Sequence, residues 1–308
     1  MEGENGNKII ASIFCVMFLV MAFPAAASAD VGPKPSIVID FEGITGQTYY
    51  ATILSKAASN GPFSALSRSV LDDPNINPRD LFGGDEQEYP IFVKFFEFQD
   101  TDGYYFMDLF RNCTETNQFS WTYYPPSDFK ILLYFPEKDS FIVSAEAYGR
   151  YAFDSYFTVS ITKEIQYATI SADGMEVKKS YNYRDEILSF IARVILTIAI
   201  ELLIALFFMF WRKKQLLFIL IVNLITQIGL NIALNLINYS YGSMMFAFAF
   251  VLLEFIILIV EARVYITFMK KLSETPIPNW KLITYAIVAN AASFAAGLGL
   301  AIKMPGIF

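Results

Sequence analysis

Three glutamates stand where a carboxylate is costly. Glu201, Glu254 and Glu261 each interrupt a long apolar run, and an ionised carboxylate in hydrocarbon costs several kcal/mol unless it turns inward and finds partners. Asn223, Gln227, Asn231 and Asn235 follow one another at steps of four in a second run, and Asn290 lies in the last. Steps of four advance about 40° on a helix, so these amides form one broad stripe. Glu254 and Glu261, seven residues apart, share a face roughly 10 Å apart along the axis. Such a constellation can act as hydrogen-bonded glue with one or more glutamates protonated. It can also take up a proton or cation, through Glu201 or Glu254, during transport or signalling.

The residue types also exclude chemistry. Histidine is absent from the 308 residues, which removes His general bases, Ser-His-Asp and Cys-His systems and imidazole metal sites. Cys15 and Cys113 are too few for a four-cysteine zinc site or an iron–sulfur cluster. No nucleophile stands beside a base, and no cofactor is expected.

The elements that carry these groups read as membrane spans. The chain is 55% hydrophobic with a net charge of −7, above the apolar share of about 45–50% of a soluble domain. Four apolar runs, 187–210, 216–237, 244–269 and 282–302, each reach the roughly 20 residues that cross a hydrocarbon core. The reading is therefore an all-α four-helix transmembrane bundle over 187–308. Counting from Ser189, Asn238, Met244 and Ile302 at about 1.5 Å per residue places Glu201, Gln227, Glu254 and Asn290 roughly 15–18 Å deep. All four then lie near the midplane as an intramembrane polar cluster, with Asn223, Asn231 and Glu261 nearby. Ala291, Ala295 and Gly299 add a small-residue ridge that allows close packing.

Basic residues orient the bundle. Linker 211–215 holds Arg212, Lys213 and Lys214, and linker 270–281 holds Lys270, Lys271 and Lys281; the linker Asn238–Ser243 has none. By the positive-inside rule the first and third are cytoplasmic and residues 30–186 lie outside. The N-terminus agrees. Lys8, the apolar stretch Ile9–Phe23, Pro24 and Ala27-Ser28-Ala29 form a signal peptide over 1–29. The expected location is the plasma membrane, multi-pass, of a bacterial cell.

Residues 30–186 carry a formal −11 and the region after them +5. An acidic exported domain repels nucleic acid and anionic headgroups. Short aromatic and β-branched runs punctuated by turn residues make it an all-β domain, a β-sandwich, Ig-like or similar. The expected strands are Ser36–Glu42, Gln47–Leu54, Ile91–Phe98, Gly103–Phe110, Phe129–Phe135, Ser140–Ser144, Tyr151–Ile161 and Ile165–Ile170. Asp173-Gly174 marks a hairpin, and Asn60–Glu88 a long loop with a short helix near Ala65–Val70. Asp100-Thr101-Asp102-Gly103 resembles the start of a calcium loop but lacks the distal Glu. Asp100 and Asp102 are thus weak calcium candidates. Trp121-Thr122-Tyr123-Tyr124-Pro125-Pro126 offers a sugar or peptide platform, although such aromatics more often fill a core. Asn112-Cys113-Thr114 fits the N-glycosylation pattern, which carries no meaning in a bacterium, and Cys113 is expected to be buried.

The function expected from these features is non-enzymatic. The outer domain binds a ligand or partner, which the sequence leaves unnamed, and the bundle anchors it in the lipid bilayer or relays to another membrane protein. The alternatives are a transporter or channel subunit using Glu201 and Glu254, and a membrane enzyme acting on lipid or cell-wall material.

Overall fold

The structure, a computed structural model, describes residues 32–57, 66, 70, 73–161, 170–171 and 174–303. The expected leader over 1–29 with Cys15, most of the expected helix near Ala65–Val70, most of the strand expected over 165–170, and Asp72 and Asp173 lie outside the described residues.

The first half of the described chain forms two sheets. Strands β1 (Ser36–Glu42), β4 (Gln118–Trp121), β8 (Asp154–Ile161) and β10 (Met175–Lys179) make one, in the order β10-β8-β1-β4. In it β1 runs parallel to β8, with Ser36 opposite Asp154, and antiparallel to β4, with Ile37 opposite Trp121. Strands β2 (Tyr50–Ser55), β3 (Tyr105–Asn112), β5 (Asp128–Phe135), β6 (Ser140–Val143), β7 (Tyr148–Gly149) and β9 (Ile170–Ser171) make the other. Its order is β3-β2-β5-β6-β9, with β7 paired to β5.

Alternation along each strand sends one set of side chains into a core shared by the two sheets. Ile37, Ile39, Phe119, Trp121, Phe157 and Val159 come from the first sheet. They meet Ala51, Ile53, Met107, Ile131, Leu133 and Phe135 of the second. The opposite face of the second sheet is covered by helix α1 (Tyr89–Glu97), whose Phe92 and Phe95 pack on Leu54, Phe106, Leu132 and Tyr134. With both faces covered, every residue of β5 after Asp128 is buried, which is why its sequence is almost continuously apolar.

Helix α1 corrects the strand expected over Ile91–Phe98. Its aromatics favour strand, but Phe92 and Phe95 are three apart and Pro90 sits in the first turn, where its missing N–H costs nothing. Strand β4 was not foreseen, since it is only four residues long. The hairpin expected at Asp173-Gly174 does not form between β9 and β10: β9 joins β6 in one sheet and β10 joins β8 in the other.

The second half holds three helices long and apolar enough to cross a membrane. They are α2 (Tyr183–Phe207), α3 (Lys213–Phe268) and α4 (Asn279–Lys303). Asn182 caps α2 by accepting from the Asp185 N–H. Helix α3 is 56 residues long, and its one non-helical residue is Gly242, at φ 81° and ψ 179°. Thr226 and Glu261 hydrogen-bond each other across this point, as do Asn223 and Tyr265. A straight helix would separate residues 35 apart by roughly 52 Å, so α3 doubles back at Gly242 and its halves lie side by side. The six-residue linker expected over Asn238–Ser243 is thus compressed into one residue with left-handed φ, a conformation glycine tolerates.

Side chains in this half are distributed inside-out. Phe207 is 85% exposed and Ile195 63%, whereas Glu201 and Glu261 are 0% exposed and Asn223 1%. Apolar outward and polar inward is what a lipid surrounding demands.

Candidate functional site

The polar cluster is built from four stretches of helix. Glu201 projects from α2, Asn223 and Thr226 from the first half of α3, Glu261 from its second half, and Asn290 from α4. Glu261 Oε1 accepts from Thr226 Oγ1 at 2.7 Å and its Oε2 from Asn290 Nδ2 at 2.8 Å. Asn223 Nδ2 donates to the Tyr265 hydroxyl at 3.1 Å, and Tyr285 Oη donates to the Glu201 backbone oxygen at 3.3 Å. The Glu201 carboxylate faces Asn223 and Ser293, with Glu261 its principal charged neighbour and Glu254 a lesser one. Among the described residues, neither oxygen of Glu201 has a hydrogen-bond partner, nor has Oδ1 of Asn223 or of Asn290. A buried polar atom left unpaired costs about 1–3 kcal/mol, so this concentration marks the site.

Depth counting placed Glu254 beside Glu201 and Asn290. The structure instead brings Glu261 to Asn290, because the doubling point at Gly242 fixes which residues of the two halves of α3 stand opposite. Gln227, Asn231 and Glu254 line a separate cavity of about 330 Å³, together with Arg193 and Ser293. Its remaining walls are apolar, among them Phe246, Phe250 and Phe294. Ser293 lines the cavity and also faces Glu201, so the two regions adjoin there. Arg193 at the cavity edge donates to Asn235 Oδ1 at 3.4 Å and lies 6.0 Å from the Phe246 ring. Within the cavity Gln227 Nε2, Asn231 Oδ1 and Glu254 Oε2 also lack partners.

On the side of the Glu201 cluster away from this cavity the helices are sealed. Phe210, Tyr265, Met269, Leu282 and Tyr285 are all at most 2% exposed and pack together. Thr226, Tyr265, Tyr285, Ser293 and Arg193 escaped the sequence reading. Hydroxyl and phenol groups inside apolar runs look like ordinary helix residues until register brings them to a carboxylate.

A third feature joins the sheets to the helices. The Phe153 N–H donates to the Tyr239 carbonyl at 2.9 Å. Tyr151, Tyr181 and Tyr239 form a ring cluster, with Tyr181 and Tyr239 centroids 5.3 Å apart. Phe153 also packs against Gly242, where a Cβ would lie 2.5 Å from its ring.

Asp100 and Asp102, the calcium candidates, converge on the ammonium of Lys130, Asp100 at 3.0 Å. Lys130 and Asp100 side chains are only 4% and 2% exposed. Burial opposes the Lys130 charge, but hydrogen bonds and charge from Asp102 and Asp100 outweigh it and hold its pKa above the ordinary lysine value. The positive charge between these aspartates is therefore supplied by the chain itself. Trp121 of the aromatic run lies wholly in the core, its indole N–H donating to the Tyr123 carbonyl. Cys113 is buried, and burial raises its thiol to about 12.

The chain matches no protein family, no curated protein and no solved structure.

Proposed function

We infer that this is a non-enzymatic, multi-pass membrane protein of a bacterial plasma membrane. Its β-rich domain, a β-sandwich outside the cell, binds a ligand or partner. The helices, four crossings once the doubling of α3 is counted, relay that event to another membrane protein. The basic residues Arg212, Lys213, Lys214, Lys270 and Lys271 gather at the ends of the helices remote from Gly242, which supports a cytoplasmic position for those ends. The formal −11 of residues 30–186 supports a domain kept away from anionic headgroups.

The observation that carries the relay reading is the docking of Phe153 and Tyr151 on Tyr239 and Gly242. A passive anchor needs only the covalent connection at residues 180–183. Here the domain also grips the point where α3 reverses.

The test uses the full chain in proteoliposomes, with Cys15→Ser and a reporter Thr197→Cys in the cavity wall. Maleimide labelling of the reporter is compared with and without Phe153→Ala. A relay predicts that loosening the grip changes the labelling rate about threefold or more, a coupling of roughly 0.7 kcal/mol. Equal rates would leave the β-rich domain a passenger.

A further inference from the structure

We propose that the buried polar cluster beside the helical cavity is a binding site for one small monovalent cation of the sodium class, held by Glu201, Asn223 and Asn290 with Glu261 beside them. This goes beyond the relay reading and does not depend on it.

The argument is a count of donors and acceptors. Among the described residues, four oxygens of this cluster stand without a hydrogen-bond partner: both of Glu201, Oδ1 of Asn223 and Oδ1 of Asn290. The three side chains are 0%, 1% and 5% exposed, so bulk water does not reach them. Four of the donors around them are engaged elsewhere. Asn223 Nδ2 serves Ile219 O and Tyr265 Oη, and Asn290 Nδ2 serves Glu261 and Ala286 O. Ser293 Oγ serves Asn290 O, and Tyr285 Oη serves Glu201 O. What is missing is positive charge that can face several oxygens at once.

A proton on Glu201 satisfies at most two of the four, the oxygen it sits on and one acceptor. A small hard cation attracts several oxygens together. The donor set also fits a single charge. The open oxygens come from one carboxylate, Glu201, and two amides, while both oxygens of Glu261 already accept from Thr226 and Asn290. The cavity of about 330 Å³, lined by Glu254, Gln227 and Asn231, meets this cluster at Ser293. Arg193 at its edge is turned toward Asn235 and the Phe246 ring. The aromatic seal of Phe210, Tyr265 and Tyr285 closes the opposite side, so the ion enters and leaves from the side of the β-rich domain.

The test uses the purified full chain in nanodiscs, with sodium chloride exchanged for choline chloride at constant ionic strength. Sodium is expected to raise the melting temperature saturably by about 3–5 °C, and equilibrium binding of radioactive sodium to give about one ion per chain. Glu201→Gln and Asn223→Ala are expected to lose the sodium-dependent part of the rise. Because either variant can fold poorly, a second measurement uses the unaltered chain: modification by dicyclohexylcarbodiimide, mapped by mass spectrometry. Sodium is expected to protect Glu201 and Glu261 at least fivefold. Identical melting in sodium and choline, a sodium response retained by well-folded Glu201→Gln, or carbodiimide labelling indifferent to sodium would overturn the proposal in favour of a protonated carboxyl.

Discussion

Phe153 and Gly242 occupy space that only one of them can fill. A Cβ on residue 242 would sit 2.5 Å from two carbons of the Phe153 ring, and the backbone there has φ +81°. Gly242→Ala therefore meets both a steric and a conformational penalty, of about 1–3 kcal/mol together. Gly229, also in α3, is helical with nothing within 4 Å of its absent Cβ. Gly229→Ala is expected to be neutral or to stabilise by about 0.5–1 kcal/mol. Melting temperatures of the two variants in detergent should move in opposite directions.

Lys130 is the counter-charge of a buried carboxylate. Lys130→Met leaves Asp100, whose side chain is 2% exposed, buried without its cation, at a cost of about 3–5 kcal/mol. Asp100→Asn in the same chain removes the stranded charge and should recover a large part of that loss. Urea titrations followed by Trp121 fluorescence, with Trp211 and Trp280 replaced by Phe, would measure both steps. A single variant as stable as the double would contradict the pairing.

Asp108 gives the β-rich domain a pH dependence of definite sign. It lies at the bulge where β2 and β3 change register, with φ +67°, and burial raises its carboxyl to about 6. Below about pH 4 the folded and unfolded chains both hold this proton and nothing is lost. Between about 4 and 6 the unfolded chain releases it first, so Asp108 increasingly opposes folding, and the full penalty stands above 6. Asn tolerates the same left-handed backbone. Asp108→Asn should thus stabilise the domain by about 1–2 kcal/mol at pH 7.5, allowing for partial exposure, with the gain vanishing near pH 4. A gain equally large at both pH values would show that charge is not its cause.

The Cys113 thiol should be silent in the folded chain. It is wholly buried in the core, its Sγ donates to the Arg111 carbonyl at 3.5 Å, and burial suppresses its acidity. Ellman's reagent should label Cys113 only once urea has unfolded the sheets. Rapid labelling under native conditions would contradict the burial.

What the sequence revealed and what it hid divide along a physical line. Length and apolar content identify the helices, because spanning demands depend on composition alone. The costliness of Glu201, Glu254 and Glu261 is likewise a property of residue type. Which glutamate reaches Asn290 depends on the reversal of α3, and a run of polar residues around Gly242 looks like a linker when read one residue at a time. Moving the reversal by about one helical turn exchanges Glu254 for Glu261. Among the strands, Ser36–Glu42 and Phe129–Phe135 were legible from their own composition. Phe92 and Phe95 were not, since their helical spacing matters only once the exposed face of the second sheet exists to be covered.

The β-rich domain is fastened twice, by the chain between Lys179 and Tyr183 and by the hydrogen bond from Phe153 to Tyr239. Held at two places rather than one, it cannot spin freely about a single tether, and any force on its distant loops is divided between the start of α2 and the bend of α3.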